Sequence, residues 1–321
     1  MKQDIRMGLA LYSFTSEYIN RRMTLEEILR QAQKMGCRGI EIIPAQMAPG
    51  YPHITEEWVR ELKGLLEKYN LEPVCWGAYL DRGTVTGRDL TEDEIFQYTI
   101  RELVNAKKAG FPIVRTQHTI TPKILKSLIP YCRSLDMKLG IEIYPPLQME
   151  RELWDDYFGI MHGEGKGCLG IIPDFGIFMN RPHKLWLEQA IERGFRPRLL
   201  KRVHARFLEG TSFEEAVSGL NDRETEITKE MYGTFGNAAS PSWIKELAEI
   251  SFYMHGKFYY VDETAKDDSI PYEELLRNVV EAGYQGYLAC EYEGHHFSDM
   301  ISSAEQSERY VSMCKWILAG I

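Results

Sequence analysis

A pattern that recurs along the whole chain restricts its possible folds more than any other feature. A helix-like stretch is followed by a glycine and a short apolar run ending in polar or aromatic residues, as in KMGCRGIEII, LDMKLGIEIY and EAGYQGYLACEYE. Such alternation predicts strands joined by helices. We place strands at residues 7–12, 39–43, 73–77, 113–117, 139–144, 169–174, 252–257 and 287–291. Eight is the number of parallel strands that closes a (β/α)8 TIM barrel.

One interval departs from the regular spacing of strands. The residues between the sixth and seventh strands include HKLWLEQAIERGF and SFEEAVSGLNDRETEITKEMYG, which are helical in pattern. We therefore predict a single barrel domain over residues 1–321 with a helical insertion at about 181–250. An insertion at this connection is placed to cover the barrel mouth, to shape substrate access or to dock another chain.

Composition excludes several classes of protein. A net charge of -9 does not suit a nucleic-acid binder, which usually carries a basic face. The six cysteines form no CxxC pair and fit reduced thiols. The early apolar run at 7–14 is too brief for a signal peptide, and no segment approaches the roughly 20 apolar residues of a membrane span. We expect a cytoplasmic protein without nucleic-acid or membrane partners.

Four adjacent predicted strands end in residues of the types that bind metal ions. They are Glu142 in GIEIYPP, Asp174 in GIIPDFG, His255 in YMHGKF and Glu291 in ACEYEG. Side chains at the carboxyl ends of barrel strands meet at the mouth, where TIM-barrel active sites lie. Three carboxylates and one imidazole predict a site for one divalent cation. Mn²⁺ is the expected ion, and Mg²⁺, Co²⁺ and Zn²⁺ are the alternatives.

The C-terminal stretch HGKFYYVDETAKDDSIPYEELLRNVVEAGYQGYLACEYEG resembles the signature of the xylose isomerase-like barrel superfamily. That superfamily includes sugar isomerases, ketose 3-epimerases, inosose dehydratases and apurinic endonucleases. The resemblance covers essentially the whole chain and implies that the four residues above are the metal ligands. The endonuclease branch needs further histidines for three zinc ions, and Asp174 is followed by Phe-Gly-Ile-Phe instead.

Three features are similar to the α subunit of bacterial C-glycoside deglycosidases: LYSFTSEY near the start, the insertion after PDFGIF, and HGKFYYVDE. This resemblance implies a small β subunit as partner and a 3-oxo-C-glucoside with an aromatic aglycone as substrate. It implies proton removal beside the ketone and β-elimination of the aglycone. The alternative is a ketose or sugar-phosphate isomerase or 3-epimerase, which begins with the same proton removal.

Seven further residues near strand ends are candidates for chemistry or substrate contact. Tyr144 and Lys257 each lie two residues after a predicted ligand, so alternation gives each pair one face. The predicted catalytic residues are Tyr144, His118 and Lys257, although the deglycosidase pattern has a histidine at the position of Tyr144, and structural roles for Tyr144 and His118 stay open. The predicted substrate-binding residues are Gln46, Trp76, Arg115 and His296.

Overall fold

The protein contains one sheet of eight parallel strands, in a computed structural model that describes residues 5–149 and 151–321. The strands are β1 Arg6–Ala10, β2 Gly39–Ile42, β3 Glu72–Gly77, β4 Ile113–Thr116, β5 Lys138–Ile143, β6 Leu169–Pro173, β7 Met254–Phe258 and β8 Tyr287–Tyr292. Each overlaps a predicted strand, with ends that agree within two residues. The predicted TIM barrel is therefore confirmed.

The sheet curves into a nearly closed barrel. Its strand order is β6-β5-β4-β3-β2-β1-β8-β7, so β6 and β7 stand at the two ends of the order. These two strands meet through isolated bridges that pair Ile171 with Ser251 and Asp174 with His255. The closure thus brings the carboxyl ends of β6 and β7 side by side.

Fourteen α-helices occur in the described residues, most of them on the outside of the barrel. They are α1 Thr15–Ile19, α2 Leu25–Met35, α3 Pro44–Met47, α4 Glu56–Lys68, α5 Glu92–Ala109, α6 Pro122–Leu135, α7 Arg151–His162, α8 Lys184–Glu192, α9 Pro197–Leu208, α10 Phe213–Ala216, α11 Asp222–Phe235, α12 Ile244–Glu249, α13 Tyr272–Glu281 and α14 Ser303–Gly320. None of the described helices is both long and apolar enough to cross a membrane.

Helices α2 and α5 begin at reciprocal caps that the sequence itself specifies. The Thr24 hydroxyl accepts from the Glu27 backbone N–H, and the Glu27 carboxylate accepts from the Thr24 N–H at 2.8 Å. Thr91 and Glu94 repeat the arrangement at the start of α5. Each cap satisfies two backbone donors that the first helical turn leaves free, and such caps stabilise a helix by about 1 kcal/mol.

The segment between β6 and β7 contains helices α8 to α12, which confirms the predicted insertion. Helix α12 packs against α13 and β6 as a regular barrel helix does. The insertion starts at His183, whose ring stacks on Tyr259 with centroids 4.4 Å apart and meets Phe297 edge-on. Gln148 donates to the Asn237 carbonyl at 3.3 Å. The insertion therefore lies beside the loops that follow β5, β7 and β8.

Trp76 in β3 is fully buried, but its ring faces the helices. Its Nε1–H donates to the Glu102 carboxylate of α5 at 2.8 Å, and its ring packs edge-on against Phe111. Alternation places Gly77, the next residue, on the inner face, where an added Cβ would lie 3.0 Å from an Arg115 nitrogen. The prediction that Trp76 contacts substrate is therefore wrong.

Replacing Trp76 with phenylalanine is expected to lower stability without affecting the barrel mouth. The Trp76→Phe change leaves a buried Glu102 oxygen without its donor, which costs about 1–3 kcal/mol of unfolding free energy in urea denaturation. Trp316→Phe, at a position 73% exposed, is the control and should change stability by less than about 0.5 kcal/mol. A weakened affinity for Mn²⁺ with unchanged stability would contradict this assignment.

Candidate metal centre

The four predicted metal ligands are buried at the carboxyl ends of adjacent strands. Glu142 lies in β5, His255 in β7 and Glu291 in β8, while Asp174 directly follows β6. Their exposed fractions are 4% for Glu142, 2% for Glu291 and 0% for the other two. Apolar residues alternate with these polar residues along the strands. Because successive side chains of a strand point to opposite faces, the polar side chains point into the barrel and their apolar neighbours point away from it.

Three of these residues form a group that could hold a cation. One ligand atom from each of Glu142, His255 and Glu291 lies within 4.8 Å of the other two. His255 Nδ1 is 2.9 Å from Glu142 Oε1 and 3.1 Å from Glu291 Oε2. Burial by itself lowers the pKa of His255, but the carboxylates of Glu291 and Glu41 raise it well above its usual value.

The fourth predicted ligand, Asp174, pairs with Lys257 of β7. Lys257 Nζ lies 2.6 Å from Asp174 Oδ2, 2.9 Å from Glu293 Oε1 and 3.6 Å from Glu291 Oε2. The other oxygen of Asp174 accepts from the Gly176 N–H. Burial, together with nearby carboxylates, raises the pKa of Asp174 to about 7 in spite of Lys257. Lys257 therefore does face the interior, as alternation predicted, and it holds Asp174 beside the group of three.

Glu41 in β2 belongs to the same cluster and was not predicted. Its side chain is fully buried, with Oε2 2.6 Å from His255 Nε2. Burial alone would raise the pKa of Glu41, but Arg115 and His255 bring it down to about 2. A signal was available in the sequence, because Gly39–Ile42 and residues 140–143 share the tetrapeptide GIEI, whose glutamate in the second copy is Glu142.

Arg115 in β4 connects the two glutamates of these tetrapeptides. Its Nε donates to Glu41 Oε1 at 2.6 Å and its Nη1 to Glu142 Oε2 at 2.7 Å. The guanidinium is 1% exposed, and its carbon lies 4.6 Å from the centroid of the Tyr79 ring. This guanidinium is engaged by two carboxylates and partly covered by an aromatic ring, while its Nη2 has no hydrogen-bond partner among the described residues, and its contact with substrate stays a prediction.

Charge in the centre is unbalanced toward the acidic side. The carboxyl groups belong to Glu41, Glu142, Asp174, Glu291 and Glu293. The basic groups belong to Arg115, Lys257 and His255. With every group ionised, five negative charges face three positive ones.

Two buried carboxylate oxygens, Asp174 Oδ2 and Glu291 Oε2, make no hydrogen bond of regular geometry within the described part of the chain. They are paired only as ions, with Lys257 Nζ at 2.6 Å and His255 Nδ1 at 3.1 Å respectively, and the surplus of negative charge remains. Buried charges are normally paired or bound to a metal ion. The residues thus fit a divalent cation with oxygen and imidazole ligands.

Polar and aromatic side chains surround the cluster at the barrel mouth. The Tyr144 hydroxyl and His118 Nδ1 are 3.3 Å apart, so the structure brings these two predicted catalytic residues together. Gln46, in α3, accepts from the Thr15 hydroxyl at 2.9 Å and is partly exposed. His296 is exposed, and its Nε2 lies 3.2 Å from the Tyr12 hydroxyl.

An aromatic rim near β1, β3 and β8 was not predicted. Tyr12 contacts Tyr79 and His295, with centroids 6.3 Å and 5.6 Å apart respectively. Both ring nitrogens of His295 are buried without a hydrogen-bond partner. Burial and the carboxylates of Glu293 and Glu291 raise the pKa of Tyr12 to about 12. This rim continues from Arg115, through Tyr79, toward the surface.

Removing the charge of one group member should weaken metal binding. In Glu291→Gln a buried carboxylate is lost as an anionic ligand, and we expect the affinity for Mn²⁺, measured by calorimetry, to fall at least about tenfold. Glu246→Gln, on the exposed surface of α12, is the matched control and should bind as the unchanged protein does. Equal affinities in the two variants would exclude Glu291 as a ligand.

Two curated relatives align with nearly the whole chain. The "3'-dehydrocarminate deglycosidase alpha subunit" of Microbacterium sp is 32% identical over 315 residues, covering 91% of this chain and 89% of the relative. The "C-glycoside deglycosidase alpha subunit" of Arthrobacter globiformis is 27% identical over 315 residues, covering 92% and 87%. These alignments agree with the resemblance drawn from the sequence motifs.

Solved structures with low sequence identity share the fold. A D-psicose 3-epimerase determined with D-fructose has a TM-score of 0.57 at 10% identity, covering 98% of this chain and all of the other. A xylose isomerase-like TIM barrel protein from Mycobacterium smegmatis, in complex with magnesium, has a TM-score of 0.53 at 15% identity, covering 98% of both chains.

A family model matches residues 29–319, from α2 to the last turns of α14, and is described as "Xylose isomerase-like TIM barrel". The matched region includes all the strands that carry the acidic cluster. Together with the barrel topology and the buried carboxylates and imidazole at its mouth, this match shows that the chain belongs to the xylose isomerase-like TIM barrel family.

Proposed function

We propose that this chain is the α subunit of a metal-dependent C-glycoside deglycosidase. The observation that carries the proposal is the buried group of Glu142, His255 and Glu291, in a chain whose two described relatives bear deglycosidase α subunit names. The proposed ligands are these three residues with Asp174, which is fully buried and directly follows β6. Mn²⁺ is the proposed ion, and a cytoplasmic location is proposed with it.

The proposed reaction begins beside the ketone of a 3-oxo-C-glucoside. The ketone makes the proton on C2 acidic, and a divalent cation held by Glu142, Asp174, His255 and Glu291 would supply positive charge that stabilises the resulting enolate. Loss of the C2 proton is followed by formation of the C1–C2 double bond and cleavage of the bond from C1 to the aglycone. The aglycone carbon takes up a proton, so the products are a free aglycone and an unsaturated keto sugar.

The pair formed by His118 and Tyr144 is the proposed route for the proton from C2. Both side chains are partly exposed, and they lie within hydrogen-bonding distance of each other. Burial and the Glu142 carboxylate raise the pKa of Tyr144. The phenol therefore stays protonated at neutral pH, which leaves the imidazole as the acceptor and gives Tyr144 the task of orienting it.

Lys257 is proposed to place a positive charge beside the substrate oxygen. Burial alone would lower its pKa, but Asp174, Glu293 and Glu291 raise it well above its usual value. The ammonium group is consequently charged at neutral pH. A fixed charge of this kind stabilises an enolate oxygen without rearrangement during the reaction.

The aromatic rim is the proposed location of the aglycone. Tyr12, Tyr79 and His295 offer ring faces and edges that suit contact with another aromatic ring. The buried nitrogens of His295 and the exposed His296 offer hydrogen bonds to polar substituents. Gln46 is proposed to contact sugar hydroxyls from α3.

A small partner subunit is part of the proposal because the relatives are named as α subunits. The insertion, which lies beside the loops after β5, β7 and β8, is the proposed region of contact with that subunit.

Product analysis tests the proposed reaction. The Mn²⁺-loaded protein, with and without its partner subunit, is given a 3-oxo-C-glucoside and, separately, free ketohexoses, and the products are identified by mass spectrometry. We expect free aglycone from the C-glucoside, abolished by a chelator and by His255→Ala. The Glu246→Gln variant serves as the control and should release aglycone at the normal rate.

The same experiment addresses the alternative reaction. Epimerised ketohexose without any free aglycone would contradict the deglycosidase proposal and favour a ketose 3-epimerase, which begins with the same removal of a proton beside a carbonyl. No conversion of either substrate by the complex would contradict both.

Substitution of the proposed proton acceptor should lower turnover and leave binding largely unchanged. We expect His118→Gln to reduce kcat by roughly 10²–10⁴-fold, the usual contribution of general acid–base catalysis, and Tyr144→Phe to have a smaller effect. Steady-state kinetics with a substrate deuterated at C2 checks this. Tyr131→Phe on α6 is the control, 40% exposed. Wild-type kcat in both variants would assign the pair a structural role.

A further inference from the structure

Glu41 occupies a position from which it can control the metal site without binding the metal. We infer that Glu41 and Arg115 are positioning residues, which fix His255 and Glu142 in the orientations needed to bind a cation. The inference rests on the metal site of the proposed function. It concerns how that site is held, which the names of the relatives do not address.

The contact between Glu41 and His255 determines which nitrogen of the imidazole faces the other carboxylates. Glu41 Oε2 lies 2.6 Å from Nε2, on the opposite side of the ring from Glu142 and Glu291. A carboxylate at this position accepts a hydrogen bond from the Nε2 N–H, so Nδ1 is the nitrogen that gives up its proton and offers its lone pair when a cation binds. Metal-binding histidines usually donate a hydrogen bond in this way from the N–H of the ring nitrogen that does not bind the metal.

Arg115 performs the corresponding task for Glu142. Its Nη1 holds Glu142 Oε2 at 2.7 Å, so Oε1 is the oxygen directed at His255 Nδ1, 2.9 Å away. The same guanidinium holds Glu41 Oε1 through its Nε at 2.6 Å. The rigid guanidinium of Arg115 therefore fixes the orientation of both glutamates. Glu142 Oε1, which it does not contact, is available to bind a cation.

The space around this arrangement is restricted. A Cβ at Gly77 would lie 3.0 Å from both Glu41 Oε1 and Arg115 Nη2, closer than ordinary contact. The Tyr79 ring covers the guanidinium on another side. Glu41 is fully buried and Arg115 is 1% exposed, so water does not compete for these hydrogen bonds. Charged hydrogen bonds in such surroundings hold their partners strongly.

A purely structural role for Glu41 is the competing explanation, and it has a different consequence. If Glu41 only neutralises buried positive charge, its replacement lowers stability and leaves the metal affinity of the folded protein unchanged. If Glu41 orients His255, replacement weakens metal binding in protein that is still folded. Loss of such an outer partner typically costs 10–100-fold in metal affinity.

The experiment compares Glu41→Gln, which keeps the shape of the side chain, with Glu41→Asp, which keeps the charge. Mg²⁺ affinity is measured by calorimetry, and the protonation of the His255 nitrogens by ¹⁵N NMR of the Mg²⁺-loaded protein. We expect the proton of His255 on Nε2 in the unchanged protein, affinity about 10–100-fold lower in Glu41→Gln, and a smaller loss in Glu41→Asp. Glu102→Gln, another buried glutamate, should lower stability but not affinity.

Two results would overturn the inference: a proton on Nδ1 of His255 in the loaded protein, or an unchanged Mg²⁺ affinity in folded Glu41→Gln. If Glu41→Gln does not fold, Glu41→Asp and the NMR measurement on the unchanged protein decide the question. Failure of the proposed reaction is recognised separately, because aglycone release plays no part in these measurements. A protein that loses Mg²⁺ affinity on this substitution but releases no aglycone would keep the inference and contradict the function.

Discussion

The buried His255 ring is the element on which the rest of the site depends. It contacts carboxylates from three other strands, with Glu41 on one side and Glu142 and Glu291 on the other. Isolated charges in such a place would be strongly unfavourable, and their mutual pairing offsets much of that cost. The barrel makes this pairing possible because its strand ends converge from all sides.

The centre nonetheless has an excess of negative charge, and this excess affects both the stability of the site and its chemistry. Arg115 pairs with both the β2 and the β5 glutamate, and Lys257 pairs with the carboxylates near β6 and β8. Five carboxyl groups nevertheless share three basic groups, and the oxygens of Asp174 and Glu291 lie beside Lys257 and His255. A divalent cation would relieve the repulsion among them. The same charge would favour an anionic oxygen on a substrate, so binding and catalysis draw on one electrostatic feature.

Much of the fold and about half of the candidate site can be predicted from the sequence, because their signals come from residues that are close together in the chain. Strands are short apolar runs, helices have caps such as Thr24 with Glu27, and a charged residue within an apolar strand is conspicuous. Glu142, Asp174, His255 and Glu291 are predicted from this last signal, and the structure brings them to one end of the barrel. The acidic residue of β2 carries the same signal in the same tetrapeptide, although it was not among the predicted residues.

The sequence by itself determined the number of strands, the position of the insertion and the chemical types gathered at the mouth. Only the tertiary structure decided that Trp76 faces the helices, that Asp174 pairs with Lys257, and that Arg115 joins two glutamates. The reason is physical. A local sequence pattern shows that side chains alternate between the two faces of a strand. Which of the two faces points into the barrel depends on the register between strands, and the register of β2 and β3 shifts beside Glu41. Partners far apart in the chain, such as Glu41 and His255, meet only when the barrel closes.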